Sequence, residues 1–257
     1  MQRKAILQLA IISVMLLLTG CGNENLNNQN ENKDSIVAET EKETNDQEMS
    51  TEVYDEVLQR FYENAVNADV EALFESGEFT NLAEVLQYQE SDTALQSFGY
   101  VYKDINSDGI TELIIGNIRE ESNGKAYGDI ICNLYTYVDG EVVCLINGYA
   151  KSVYRLFEDG KIYNSGVGGA IYYSSGIFNL SSEADTLECV DFYITHERDD
   201  DFADIAVYYN NIGSWSTEDS TETDMTIDDF FAMEEEYIQK AVDIELIPFT
   251  EYGIEES

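Results

Sequence analysis

Positive charge is what this chain of 257 residues most lacks: 13 Lys and Arg stand against 52 Asp and Glu, a formal charge of −39. A surface that acidic is repelled by phosphate backbones and anionic headgroups, which excludes nucleic acid as a partner and turns attraction toward cations, amines or basic proteins. Histidine occurs once. His196-Glu197 lacks the second histidine of a zinc-protease helix, so His196 reads as a loop residue rather than a base. No serine stands in G-x-S-x-G. Gly166-Val167-Gly168-Gly169 lacks the lysine and hydroxyl of a phosphate loop, so no nucleotide is expected. Carboxylates, by contrast, are so many that a paired-acid hydrolase stays open while no pair is distinctive. Nor does any apolar run reach the ~20 residues of a membrane span.

The longest apolar run, 5–18, follows Arg3 and Lys4 and ends in Leu18-Thr19-Gly20-Cys21. Positive n-region, short h-region and small residues before a cysteine make 1–20 a secretory leader rather than a span. The last four residues resemble a lipobox. That resemblance implies cleavage ahead of Cys21, palmitate-type acylation of its amino group, a thioether-linked diacylglycerol, and anchoring on the extracytoplasmic face of the cell membrane. Two or more acyl chains hold a protein stably, at ~0.8 kcal/mol per buried methylene. Cleavage removes two cations and no acid, taking the charge from −39 to −41.

Residues 21–50 hold no aromatic residue and no hydrophobic period, which predicts a disordered acidic tether. The rest, 51–257, is long enough for one domain with a real core. Val53, Val57, Leu58, Phe61, Ala65 and Val66 recur at helical spacing, and shorter helices are expected over 70–75 and around Leu82, Val85 and Leu86. From 98 to 194 the period becomes two. Strands are expected over 98–103, 110–117, 130–138, 141–146, 153–157, 161–164, 171–180 and 186–195, with hairpin turns at Asp139-Gly140 and Asp159-Gly160. The stretch 196–224 reads as a surface excursion broken by alternation at 205–209. Within it Asp199, Asp200, Asp201 and Asp204 read as a solvated charge run. Thr226 with Asp229 forms a capping-box signal for a last helix with Phe230, Phe231, Tyr237, Ile238, Ala241 and Val242 on one face, and a short strand is expected at 244–249. The fold class is therefore α+β: N-terminal helices, an antiparallel meander of about eight strands, open or barrel-like, and a C-terminal helix.

Cys132, Cys144 and Cys189 remain once Cys21 is acylated. A two-residue turn at Asp139-Gly140 sets Tyr135 opposite Cys144 and Asn147 opposite Cys132, so the sulfurs of Cys132 and Cys144 point to opposite sides of the sheet and cannot bond. A bridge from Cys189 to either stays open, and free thiols are expected.

Calcium takes six to eight hard oxygens, and alternate residues of a tight loop can all turn inward. Asp104, Asn106 and Asp108 hold positions one, three and five of such a loop. Gly109 is sixth, Ile110 offers its carbonyl at seven, and Glu112 is ninth. Position twelve, where an EF-hand places a bidentate glutamate, is Ile115, and a strand rather than a helix follows. The D-x-N-x-D-G-x-x-E-L pattern resembles the calcium loop of dockerin-like and FG-GAP-type repeats. Over more of the chain, from Tyr100 to Gly116 with Arg155–Gly160 and Gly166–Ala170, it resembles a group of uncharacterised Gram-positive bacterial lipoproteins. That resemblance implies no activity. Tyr172, Tyr173 and Trp215, close to glycines, could form an aromatic platform for a sugar or peptide. The expectation is a surface-anchored, non-enzymatic binding domain braced by one calcium ion, with an envelope protein or glycan as partner. A carboxylate-dependent hydrolase on envelope polysaccharide is the alternative.

Overall fold

Five helices and one large antiparallel sheet organise the described residues of this computed structural model, which are 50–67, 69–183, 185–198 and 204–253. The leader, Cys21, the tether up to 49 and Asp199, Asp200 and Asp201 lie outside them. All described residues fall in one compact unit, 46–257.

Ser50 caps a short 3₁₀ turn that leads into α1 (Asp55–Asn67). Val57, Leu58, Phe61 and Ala65 are its buried stripe, while Val66 stays exposed. In α2 (Val70–Ser76), Asp69 Oδ1 accepts from the Ala72 amide at 3.1 Å, and Gly77 closes the helix at φ 68°. Next come α3 (Thr80–Leu86) and an unanticipated α4 (Ser91–Ser97). Only two apolar residues of α4, Ala94 and Leu95, reach the core, too few to show a period.

The strands are β1 (Phe98–Lys103), β2 (Glu112–Asn117), β3 (Glu120–Ser122), β4 (Lys125–Gly128), β5 (Ile130–Val138), β6 (Glu141–Asn147), β7 (Ser152–Leu156), β8 (Ile162–Val167), β9 (Tyr173–Leu180), β10 (Leu187–Glu197), β11 (Ile205–Asn210), β12 (Thr221–Glu222) and β13 (Ile244–Pro248). Thirteen strands replace the expected eight: β11 and β13, expected separately at 205–209 and 244–249, join the sheet, and β3, β4 and β12 are too short or too polar to alternate visibly. The order is β12-β11-β10-β9-β8-β7-β5-β2-β1-β13-β4-β3, with β6 on β5, and the sheet does not close into a barrel. His196 is not in a loop: it pairs with Ala206 between β10 and β11, so the excursion expected from 196 starts only after Glu197.

The middle of the sheet is buried on both faces. On one side α1, α3 and α4 bring Phe61, Phe79, Leu82 and Leu95 against Leu113, Ile115 and Tyr135. On the other, Ile114, Ile131, Leu134, Ile146, Leu156, Ile162 and Leu246 meet as the sheet curls. The curl is tied where Val242 donates its amide to the Leu156 carbonyl at 2.9 Å, beside a bridge between Phe157 and Ala241. The half-buried Arg155 reaches Asp129 nearby at 2.9 Å.

In α5 (Ile227–Lys240) the capping box forms, with the Asp229 amide donating to Thr226 Oγ1 at 3.1 Å and the Thr226 amide to Asp229 Oδ2 at 3.0 Å. The expected stripe is only half right. Phe230 is buried and Tyr237 packs on Tyr163, but Phe231 and Ile238 are exposed. Glu234 takes a place in the stripe instead, accepting from the Tyr163 hydroxyl at 3.2 Å, and burial raises its pKa.

Alternation also fails at the cysteines. Tyr135 does oppose Cys144, but a bulge between Leu134 and Tyr135 sets Asn147 against Asn133, and a second irregularity falls where β2 skips Cys132. Cys132 and Tyr135 therefore share the helix-side core, and the opposite-sides argument does not hold. Cys132, Cys144 and Cys189 are nonetheless free, and burial raises the pKa of each thiol.

Candidate cation loop and aromatic cleft

The turn between β1 and β2 is built from short polar side chains that bond their own backbone. Asp104 accepts from the Ser107 amide at 2.7 Å through Oδ1 and from the Gly109 amide at 3.1 Å through Oδ2. Asp108 Oδ1 accepts from the Ile110 amide at 2.7 Å, and Asn106 Oδ1 from the Asp108 amide at 3.3 Å. Ser107 at φ 62° and Gly109 at φ 89° provide the tight reversal.

Three neighbours fix this loop. From the helix layer, the Tyr54 hydroxyl donates to the Thr111 carbonyl at 2.7 Å. From the β9–β10 turn, the Ser181 carbonyl accepts from Asn106 Nδ2 at 3.0 Å. Inside the sheet, Glu112 is fully buried, its Oε2 accepting from the Ile105 amide at 2.9 Å and its Oε1 from the Thr136 hydroxyl at 3.4 Å. Burial, reinforced by the charges of Asp108 and Asp104 and opposed by the Ile105 hydrogen bond, raises the Glu112 pKa to about 7. Across the groove Gly160 has no room for a side chain: its φ is +81° and a Cβ would collide with the Ile105 carbonyl.

The donor set suits calcium chemically, with two carboxylates, an amide and a main-chain carbonyl within seven residues and the buried Glu112 behind them. Among the described residues no ion pair compensates Asp104, Asp108 or Glu112. Nor is any group of three or more His, Cys, Asp or Glu side chains among them placed to hold a metal ion. A loop of this type instead draws on amide, carbonyl and water oxygens, the ninth position often acting through water.

A second feature lies on the far wing of the sheet. Tyr154, Asn164, Gly176, Phe192 and Asn210 form one row across β7 to β11 by their pairing register. Over this row the segment after β11 lays Trp215, whose ring meets Phe192 edge-to-face at 6.2 Å. Glycine makes the bed: a Cβ on Gly166 would stand 2.9 Å from Trp215 Cζ2, and one on Gly168 would stand 3.3 Å from Cζ3. Asn210 orders the segment. Its Nδ2 donates to the Ser214 carbonyl at 2.8 Å and to Ser220 Oγ at 2.9 Å, while its Oδ1 accepts from the amides of Ile212 and Ser214 at 3.1 and 3.0 Å. The result is a cleft of about 360 Å³, within the ~300–1,000 Å³ range of ligand pockets.

Of the three aromatic residues read from the sequence, two come together. Tyr172 and Trp215 flank Gly168, whereas Tyr173 turns to the other face and packs on Phe231 at 5.2 Å. The Tyr172 hydroxyl donates to Glu197 at 2.9 Å and its ring lies 5.1 Å from that of His196, which keeps it at the cleft margin. The sequence places Asn210 beside Trp215 and Gly166–Gly169 beside the tyrosines without giving either a role, and it does not single out Phe192 or Lys151. The Asn210-Asn211-x-Gly213-Ser214 run was a readable turn signal; the bed, which pairing register assembles, was not.

No known protein family, curated protein or solved structure matches this chain. Among the described residues no helix is long and apolar enough to cross a membrane.

Proposed function

We propose that this chain is a lipid-anchored extracytoplasmic binding domain, non-enzymatic, that takes its ligand in the Trp215 cleft and is braced by one calcium ion in the 104–112 loop. One observation carries the reading: Trp215 is 45% exposed, yet it is held on a glycine bed by a buried asparagine that makes four hydrogen bonds. Ordering so large an apolar ring at the surface costs free energy that a ligand's contacts would offset. The leader and Leu18-Thr19-Gly20-Cys21 supply the address. In the loop, Asp104, Asn106, Asp108 and the Ile110 carbonyl would hold the ion, with Glu112 at the ninth position acting through water. Calcium there supplies positive charge that crosslinks the turn. The hydrolase alternative draws less support, because Glu112 is fully enclosed and the cleft lining contains no acid.

Trp215 is the only tryptophan, so fluorescence excited selectively at tryptophan, away from the 18 tyrosines, reports on this cleft alone. An envelope polysaccharide extract is expected to shift its emission and protect it from acrylamide quenching. If neither changes, the binding proposal fails. Intact mass of the membrane-extracted protein tests the anchor: a species beginning at Met1 without an acyl increment refutes it.

A further inference from the structure

The charge of the cleft is as distinctive as its shape. Cavities of about 690, 550 and 270 Å³ elsewhere are lined by Glu56, Glu78 and Glu141, by Glu52 and Asp104, and by Asp159 and Glu188. The Trp215 cleft is lined by no Asp or Glu and by one cation, Lys151. Cations are scarce here and most are spent. Arg60, Arg119, Lys125, Arg155, Lys161 and Arg198 pair with carboxylates, and Lys240 lies over the Tyr237 ring. Lys103 and Lys151 are the described cations with no such partner. The Lys151 carbonyl accepts from the Val167 amide at 2.9 Å, so its backbone adjoins β8, the strand on which Trp215 lies.

Around this cation the apolar surface is concentrated. Tyr149, Val167, Ile212 and Trp215, four of the large hydrophobic residues left exposed, stand in or beside the cleft. Asn164 and Ser152 add polar edges, with Asn164 Nδ2 already donating to Ser152 Oγ and the Val153 carbonyl, so its carbonyl oxygen is the atom left to accept from a ligand hydroxyl. A half-exposed indole among other aromatic side chains, a polar edge and one free ammonium match a ring with one apolar C–H face, hydroxyls at its rim and a carboxylate.

The geometry points to a carboxylated pyranoside, a uronic-acid-type unit of a polysaccharide, as the ligand of this cleft. The inference rests on the Trp215 cleft being the binding surface. Trp215 takes the C–H face of the sugar, Asn164 accepts from a hydroxyl, and Lys151 pairs with the carboxylate. On a chain of charge −39, a cleft lined by a free lysine and no acid is where an acidic glycan meets the least repulsion.

The test uses the full chain and three defined probes: a galacturonate tetrasaccharide, a neutral glucose tetrasaccharide and tetraglutamate. Binding is read by calorimetry and by Trp215 fluorescence at 50 and 500 mM NaCl. The galacturonate probe is expected to bind about fivefold more tightly than the neutral one at low salt, with the gap closing at high salt and in Lys151→Gln. Equal binding of both sugars, or a preference that survives Lys151→Gln, overturns the acidic-sugar assignment while leaving the cleft in place. Silence from both sugars with a response to tetraglutamate overturns the sugar class in favour of an acidic peptide. If Trp215→Ala binds galacturonate unchanged by calorimetry, the cleft itself is the wrong surface and both readings fall.

Discussion

Around β2 and β5 every side chain is committed to packing, whereas three strands away the same sheet presents glycine and serine beneath an exposed indole. β2 is Glu-Leu-Ile-Ile-Gly-Asn, with its first five residues buried between two apolar layers. In β8 and β9 one face meets α5 and the other carries the buried Gly166, Ser174 and Gly176, with Trp215 laid across and half exposed. The first region trades specificity of contact for stability. In the second, surface that could have been buried is kept open, which is what a ligand site requires. The contrast predicts that mutations in the two regions separate stability from binding. Phe61, fully buried with ring neighbours Phe249 at 4.3 Å and Phe79 at 5.1 Å, is the sharpest probe of the first. Phe61→Ala is expected to cost about 3–5 kcal/mol in urea titrations. Trp215→Ala should cost less, about 1–2 kcal/mol, since its ring is only half withdrawn from water, yet abolish ligand-induced changes. Similar stability losses at both sites would break the comparison.

Glu112 tests whether the central region carries a hidden electrostatic cost. Its pKa in the folded chain, about 7, lies above the ordinary carboxylate value of 4.5, so ionising it disfavours the folded state. The stability of the protonated form is fully present below about pH 4.5 and is lost as pH rises through 7. In calcium-free buffer the wild type should therefore lose stability between pH 5 and pH 8, by roughly 3 kcal/mol at most from this group. Glu112→Gln should flatten this part of the profile. Parallel pH profiles for the two proteins would remove Glu112 from the account.

Asn210 probes the wing from beneath. Asn210→Ala strands the amides of Ile212 and Ser214 and is expected to cost about 1–3 kcal/mol locally. Fluorescence anisotropy of Trp215 should fall and ligand affinity with it, while hydrogen exchange of the β2 amides stays slow. Faster exchange throughout β2 would show that the two regions unfold as one, against the distinction drawn above.

The legibility of these regions in the sequence differs for the same reason. β1 and β5 could be bounded to the residue, because alternating or continuous apolar runs bounded by Asp-Gly turns report burial directly. Local cues also marked α2, the α5 capping box and the D-x-N-x-D-G turn. What escaped was set by register and long-range pairing. The bulges that bring Cys132 and Tyr135 to one face, the insertion of β13 between β1 and β4, and the row from Tyr154 to Asn210 leave no local trace. The sequence marks Trp215 as part of an aromatic platform with Tyr172 and Tyr173. Its acid-free surroundings became visible only when β7, β8 and β10 were folded together.

The 104–112 loop lies where the two regions meet, so calcium should act on their coupling more than on either alone. The loop grows from β1 and β2 on the packed side, while Asn106 grips the Ser181 carbonyl at the β9–β10 turn and Ile105 abuts Gly160 at the β7–β8 turn. Lone extracellular loops of this kind bind at ~10⁻⁴–10⁻³ M, so 1 mM calcium would stabilise by only about 0.4–1.4 kcal/mol. For a domain of this size that is a rise of roughly 1–5 °C in Tm over the chelated protein. The sharper reading is spatial. Calcium should slow exchange at the β7–β8 and β9–β10 turns as well as within the loop, and Asp104→Asn should erase both effects while leaving Phe61 packing intact. Melts that superimpose with and without calcium would remove the ion, and protection confined to 104–112 would remove the clasp.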